Sequence, residues 1–469
     1  MIRIRSLPLA LAVALTIGAS AAHADDLMQV YQEARAADPT LAGAEATKLA
    51  TDENVDQARS QLLPQIAASL DFTRTHGGDN GTSFVNVPTP DDPNATIPVD
   101  GITRTSYSRT LGAQLNQSIL DISRWTALKA SKYTANAGAA TYDAAQQALL
   151  VRVATAYFNV LSALDVLKFA DANEKALNRQ LEQAQQRFEV GLAAITDVND
   201  AKAQHDQAVA AVIADQNAVD QAREAVRQIT NKEPGELKKL REELPLDHPN
   251  PDDPKAWVEV ALKQNPTLSS AAYQVDAANA NINSARAGHL PTITGTLGYS
   301  QAPAWSDSRF GGAPAGFPNE FHDSSDPKWG STIGITLNVP IFSGGLTQSR
   351  VRQAIHNRDF AQDQYELNRR LVEATTRNDF RSVIAGASEV EATKAAVVSA
   401  QSSVEATQAG YEVGTRTIVD VLISQQTLLQ AQSSYSAARH TFVLNGLLLK
   451  QAAGVIEVKD LEAINALLE

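Results

Sequence analysis

Ala409-Gly410-Tyr411-Glu412-Val413-Gly414-Thr415-Arg416-Thr417-Ile418-Val419-Asp420-Val421 interrupts two long helical patterns, and its reading decides the fold. An earlier stretch follows the same order: Arg187-Phe188-Glu189-Val190-Gly191-Leu192-Ala193-Ala194-Ile195-Thr196-Asp197-Val198. Both copies run aromatic-Glu-Val-Gly and place an aspartate six residues after the glycine, so that Gly191 maps to Gly414 and Asp197 to Asp420. In each, a glycine suited to the left-handed C′ position ends one helix and another helix begins within a few residues. Thr417, followed three residues later by Asp420, reads as a capping box with Asp in the place of Glu. A doubled helix-turn-helix implies a doubled chain.

The repeat extends outward from the turns. Asp38-Pro39-Thr40-Leu41 matches Asn265-Pro266-Thr267-Leu268, and Leu63-Pro64-Gln65-Ile66 matches Leu290-Pro291-Thr292-Ile293. After each of these prolines the hydrophobic period switches from helical to two. Ile66, Ala68, Leu70 and Phe72 alternate with polar or small residues, as do Leu111, Ala113 and Leu115, then Ile293, Leu297 and Tyr299, and finally Ile333, Ile335, Leu337 and Val339. Each half is therefore predicted to carry one β-hairpin with a single apolar face. The polar stretches His76–Asp100 and Gln301–Lys328 are read as its long loops, exposed at the cell surface. Trp305 and Trp329 fall near the ends of the second hairpin, as members of an aromatic girdle or of loop packing.

Helical patterns without internal proline follow each hairpin, up to Val190 and Val413. Some 65 residues at 1.5 Å each make a helix of roughly 100 Å, far beyond the ordinary globular length. Their small side chains suit close helix packing, and Tyr411 and Phe188 suit the staple positions of a coiled coil. The expected division is a signal peptide at 1–24, a first structural repeat at 25–230, a Pro-rich connector at 231–254 and a second repeat at 255–469. The repeats are expected to hold hairpins at about 66–120 and 292–342 and turns at 188–197 and 411–420.

Composition narrows the function. Arg3 and Arg5, the apolar run Leu7–Ile17 and Ala22-His23-Ala24 form an export signal, so the mature chain is predicted to begin at Asp25. The formal charge of −13 becomes −15 once the two arginines leave, which argues against a nucleic-acid partner. Cysteine is absent, excluding disulfides, thiolate metal sites and a lipidated N-terminal cysteine. Beyond the signal no run of about 18 apolar residues is expected to span a bilayer as a helix, so membrane insertion must use strands. Eight histidines are scattered without ligand spacing, no HExxH, GxSxG or Walker pattern occurs, and Gly311-Gly312-Ala313-Pro314-Ala315-Gly316 lacks a following helix. No catalytic residue, cofactor or metal is assigned, and the chain reads as a non-enzyme.

Four strands cannot close in hydrocarbon, because their open edges leave backbone groups unsatisfied. Two copies would give eight strands and a filled barrel, whereas three give twelve and an aqueous lumen. The polar faces bearing Gln114, Asn116, Ser118, Thr336 and Asn338 suit water. The competing class, a soluble secreted coiled-coil protein, explains the long helices but not the symmetric strands; retention in detergent-extracted envelopes separates the two.

With these residues assembled, the chain resembles the TolC family of outer-membrane efflux and type I secretion ducts over nearly all its mature length. Val397-Val398-Ser399-Ala400-Gln401-Ser402-Ser403-Val404, leading into Gly410–Leu422, is similar to that family's signature turn almost residue for residue. The resemblance implies an α+β membrane protein: a homotrimer with a twelve-stranded barrel and a long α-helical barrel with a coiled-coil tip. It also implies recruitment by a periplasmic adaptor (membrane fusion) protein and an inner-membrane pump of RND, ABC or MFS type. The implied function is a duct for drugs and toxins, and for proteins where it serves a dedicated type I exporter. By the same resemblance the turns form a periplasmic gate, in which Thr196 and Asp197 meet Tyr411 and Arg416 while Asp420 supplies a luminal carboxylate ring. The family pattern has a second aspartate three residues on; here that position is Ile423, so a single ring is expected to bind cations weakly.

Overall fold

The computed structural model describes residues 25–86, 90–311 and 320–469; the expected export signal at 1–24 lies outside them. The elements recur in the order the repeat demands. The first set is α1 (Leu27–Ala37), α2 (Pro39–Ser60), β1 (Gln65–Asn86), β2 (Thr96–Leu120), α3 (Ile122–Glu189) and α4 (Ile195–Thr230). The second is α5 (Pro254–Gln264), α6 (Pro266–Ala287), β3 (Thr292–Gln301), β4 (Ala304–Phe310), β5 (Glu320–Ser325), β6 (Gly330–Asn338), α7 (Leu346–Glu412) and α8 (Ile418–Ala452), closed by α9 (Val458–Asn465). The chain forms two compact units. One is helical and draws on residues up to Ala46, Thr141–Leu268 and Asn368–Glu469; the other, Thr47–Ala140 with Ser269–Leu367, contains the sheet.

In the sheet unit all pairing is antiparallel. The long strand β2 has β1 along one side and, along the other, β3 followed by β4; β3 then pairs with β6 and β4 with β5. Four strand paths result, two of them interrupted near Pro303 and Pro327, where the missing N–H breaks the ladder. Register puts Ile66, Ala68 and Leu70 opposite Leu115, Ala113 and Leu111, and Leu297 opposite both Leu115 and Ile333, so one face is apolar throughout. That face is uncovered: Ile66 is 74% exposed and Ile333 80%. It ends in aromatic residues. Trp305 stacks on Tyr107 with centroids 5.6 Å apart, Phe72 lies 6.1 Å from Trp305, and Trp329 stacks on Tyr299 at 5.0 Å.

Two sequence expectations require correction here. His76–Asn86 and Thr96–Asp100 belong to strands rather than to a loop, and Gln301–Lys328 contains β4 and β5. Backbone pairing continues after the alternation stops, because the outer strand segments are mostly polar on both faces, with only scattered apolar residues such as Val99 and Phe310 buried. The expectation that no helix is apolar enough to cross a bilayer also fails as stated. By length and composition alone one window of α3 qualifies, yet more than half of it is buried in protein.

The core of the helical unit explains that burial. Leu149, Val153, Tyr157, Phe158 and Val160 of α3 pack with Leu27 and Val30 of α1, Leu447 of α8 and Leu461 of α9. Residues 231–254 are tied into this core rather than left as a loose linker. The Tyr157 hydroxyl donates to the Lys238 carbonyl at 2.8 Å, and isolated bridges join Asp25 to Leu237 and Leu240 to Leu468. Beside Phe158 lies His440, only 3% exposed, its Nδ1 2.7 Å from Ser162 Oγ. Burial drives the His440 imidazole down to about 4, with the Arg439 charge acting the same way and the Asp165 carboxylate opposing both. A base depressed in the folded state contributes its stability above the free value of 6.5 and loses it as pH falls through about 4. Thermal unfolding of the detergent-extracted protein at pH 7.5 and 4.5 checks this. The parent is expected to lose on the order of 1 to 3 kcal/mol more on acidification than His440→Gln; an equal loss would assign the acid sensitivity elsewhere.

Candidate functional site: the paired helical turns

Both turns are built alike. In the second, the Gly414 N–H donates to the Tyr411 carbonyl at 3.1 Å and the Thr415 N–H to the Gly410 carbonyl at 2.8 Å. In the first, the Gly191 N–H donates to Phe188 at 2.9 Å and the Leu192 N–H to Arg187 at 2.7 Å. These are paired Schellman bonds, closed by glycines at φ 78° and 80°, a region that costs an L side chain roughly 1 to 2 kcal/mol. Gly410 has a separate reason to be glycine: a Cβ there would lie 2.7 Å from Arg416 Cγ, so its bare backbone lets the Arg416 stem lie against α7.

The following helices begin differently. Thr417 Oγ1 accepts from the Asp420 N–H at 3.3 Å, and Asp420 Oδ2 accepts from the Thr417 N–H at 2.9 Å and its hydroxyl at 3.0 Å. The N–H and hydroxyl of Thr417 hold the Asp420 carboxyl below its ordinary value. Both of those bonds fall on Oδ2, so the half-exposed carboxylate caps α8 while Oδ1 remains available to solvent. At the start of α4 the cap position is Ala194, which has no hydroxyl, and no side-chain cap bond forms. Asp197 sits in that first turn, half-exposed, and Thr196 is exposed.

Tyr411 is 5% exposed and packs among Leu177, Ala184, Ala201, Ile418, Val421 and Leu422, whereas its twin Phe188 is 42% exposed. Among the described residues the Tyr411 hydroxyl has no hydrogen-bond partner, so no bond joins it to Thr196 or Asp197. Asp197 is nevertheless close enough to act on it: burial raises the phenol most, Arg187 lowers it and Asp197 raises it. Arg416 is exposed and makes no ion pair among the described residues.

Arg187 was not singled out from sequence. Its guanidinium lies 4.8 Å from the Tyr411 ring centroid, and Nη1 donates to the Tyr411 carbonyl at 3.3 Å, fastening the first turn to the second. Two further ties escaped notice: Gln180 Nε2 donates to Gln408 Oε1 at 2.8 Å, and Thr407 and Ser424 hydroxyls meet at 2.8 Å. Neutral amides and hydroxyls carry no spacing signal, and a cation in the last turn of a helix, as at Arg187, is ordinary there. The turns also expose Val190, Leu192 and Val413, each about 70% or more. Among the described residues no cluster of three His, Asp or Glu side chains is placed to hold a metal.

Because the Asp420 carboxyl is depressed in the folded state, its cap is fully formed above the ordinary carboxylate value of 3.8 and is lost as pH falls below it. Asp420→Ala is therefore expected to speed amide hydrogen exchange severalfold at the first turn of α8 at pH 7, with the difference shrinking only as pH falls below 3.8. Unchanged exchange at pH 7 would show that Thr417 caps α8 alone.

With this geometry in view, comparison with known proteins is direct. The family model "Outer membrane efflux protein" matches twice, at residues 30–232 and 257–455. The chain is similar to outer membrane protein TolC of Escherichia coli K12, with 39% identity over 462 residues covering 98% of this chain and 88% of that one. It is also similar to the alkaline protease secretion protein AprF of Pseudomonas aeruginosa, with 27% identity over 77% and 72% of the two chains. In fold it is similar to the Campylobacter jejuni CmeC outer membrane channel, at TM-score 0.73 and 17% identity over 94% and 90% of the chains. Matched across both halves and similar to TolC over nearly its whole length, the chain belongs to the outer membrane efflux protein family and is an outer-membrane channel with periplasmic helices.

Proposed function

We propose that the channel is a homotrimeric exit duct whose paired turns form a gate held shut between subunits. The observation that carries this reading is an asymmetry within one chain. Tyr411 is buried and fastened by Arg187, while Arg416, Thr196 and Asp197 are displayed at the turn with no bond to one another. Arg416 is a charged donor held outward across Gly410, and Asp197 is a carboxylate unclaimed by a helix cap. A neighbouring copy supplies the partner of each, and threefold symmetry repeats the bond.

Asp420 and Ile423 lie one turn apart on the exposed face of α8, so three copies present a single carboxylate ring backed by isoleucine. The exposed Val190, Leu192 and Val413 form an apolar tip suited to a periplasmic adaptor. The adaptor links the duct to an inner-membrane pump of RND, ABC or MFS type. The cargo is small toxic molecules, and proteins where the partner is a type I exporter, a role supported by the similarity to a protease secretion protein. Opening then costs only a few charge-assisted hydrogen bonds, each worth roughly 1.5 to 3 kcal/mol.

Planar-bilayer conductance tests the gate. Arg416→Ser with Asp197→Ala is expected to raise resting conductance severalfold while the trimer persists. Asp420→Ala should leave resting conductance near the parent value but weaken block by multivalent cations, and Ile423→Asp should strengthen that block. If the double variant conducts like the parent while Asp420→Ala dissociates the trimer, the turns are capping structures and the gate lies elsewhere.

A further inference from the structure

The chain carries a formal charge of −13, yet both helices that leave the sheet begin with long basic stretches. From Ile122 to Tyr142 there is no Asp or Glu, and Arg124, Lys129 and Lys132 stand among neutral residues. From Leu346 to Arg358 there is again no acid, and Arg350, Arg352 and Arg358 recur at the corresponding place in the second repeat. Asp121 neutralises Arg124 and Asp359 neutralises Arg358. Lys129, Lys132, Arg350 and Arg352 are exposed and have no ion pair among the described residues.

On α3 these charges line up with aromatic rings. Trp125, Lys129, Lys132 and Tyr133 fall at i, i+4, i+7 and i+8, one helix face. Trp125 is 60% exposed, and Lys129 Nζ lies 5.8 Å from the Tyr133 centroid. Because α3 starts two residues after β2 ends, the stripe begins about 5 Å from the apolar sheet face and reaches about 15 Å from it at 1.5 Å per residue. The headgroup layer flanking a roughly 30 Å hydrocarbon core occupies that interval. An exposed tryptophan followed by long-stemmed cations is the order of groups met on crossing from acyl chains to phosphates.

We propose that the Trp125–Lys129–Lys132–Tyr133 stripe, with Arg350 and Arg352 as its counterpart in the second repeat, is a binding surface for anionic phospholipid headgroups of the periplasmic leaflet. The apolar strands insert the channel; this surface selects which lipids surround its periplasmic rim. The lysines donate to phosphate oxygens while Trp125 sits at the acyl boundary. The surface is continuous with the membrane-inserted face, and its charge opposes that of the rest of the chain.

Two measurements on the detergent-extracted full-length protein test this. Native mass measurement after exposure to mixed phosphatidylglycerol and phosphatidylethanolamine should show phosphatidylglycerol retained at least about fivefold in preference, since one interfacial cation contributes about 1 kcal/mol. Lys129→Gln with Lys132→Gln should bring that ratio close to one without changing the oligomer. A variant retaining Trp125, with Trp257, Trp305 and Trp329 as Phe, should be quenched more by brominated phosphatidylglycerol than by brominated phosphatidylcholine, and less so in high salt. Equal retention of the two lipids by the parent, or an unchanged ratio in the lysine variant, overturns the proposal. So does Trp125 being quenched by neither lipid, which would mean that a neighbouring copy covers it. If the lysine variant alters ion selectivity but not lipid retention, the stripe faces the lumen and the proposal is likewise overturned.

Discussion

Every backbone N–H and C=O in a bilayer must find a partner in protein, and among the described residues the outer edges of the sheet have none. β1 is paired on one side only by β2, and β6 and β5 only by β3 and β4. Each unsatisfied group in hydrocarbon costs several kcal/mol, so an isolated sheet of this kind cannot persist there. The apolar face sharpens the problem, since Ile66, Leu70, Ile333 and Ile335 are all more than 60% exposed and belong in lipid. Closure by further copies resolves both, and the proposed trimer is the smallest assembly that leaves a lumen.

The proposed gate combines a rigid frame with a weak hold. Paired Schellman bonds, left-handed glycines and the Thr417–Asp420 capping box fix the backbone of each turn locally. Arg187 then locks Tyr411 into an apolar cluster within the same chain. What the proposed latch uses is small: the Arg416 guanidinium, the Thr196 hydroxyl and the Asp197 carboxylate. A population shift of several kcal/mol moves such a latch without unfolding the helices that carry it.

Much of this was legible in the sequence because periodicity and glycine placement report local physics. Gly191 and Gly414 announced the turns, Thr417 and Asp420 the cap, and the switch from period 3.6 to period two the sheet. The reading stopped where the physics stopped writing patterns. Outward of Arg74 and Arg109 the strands are mostly polar on both faces, with only scattered apolar residues such as Val99, Trp305 and Phe310, so β4, β5 and the outer half of β1 read as loop. Arg187 was invisible because a cation over a ring needs spatial, not sequential, proximity. Ala194 in place of a hydroxyl-bearing cap was readable and separates Asp197 from Asp420, a difference that the shared motif concealed.

The account rests on closure of the sheet by other copies, and the mass of the detergent-extracted particle tests that most directly. Native mass measurement in a mild detergent is predicted to give a single species of three mature chains, stable across a wide concentration range. A monodisperse monomer or dimer would leave the strand edges open in hydrocarbon and would contradict the account at its base.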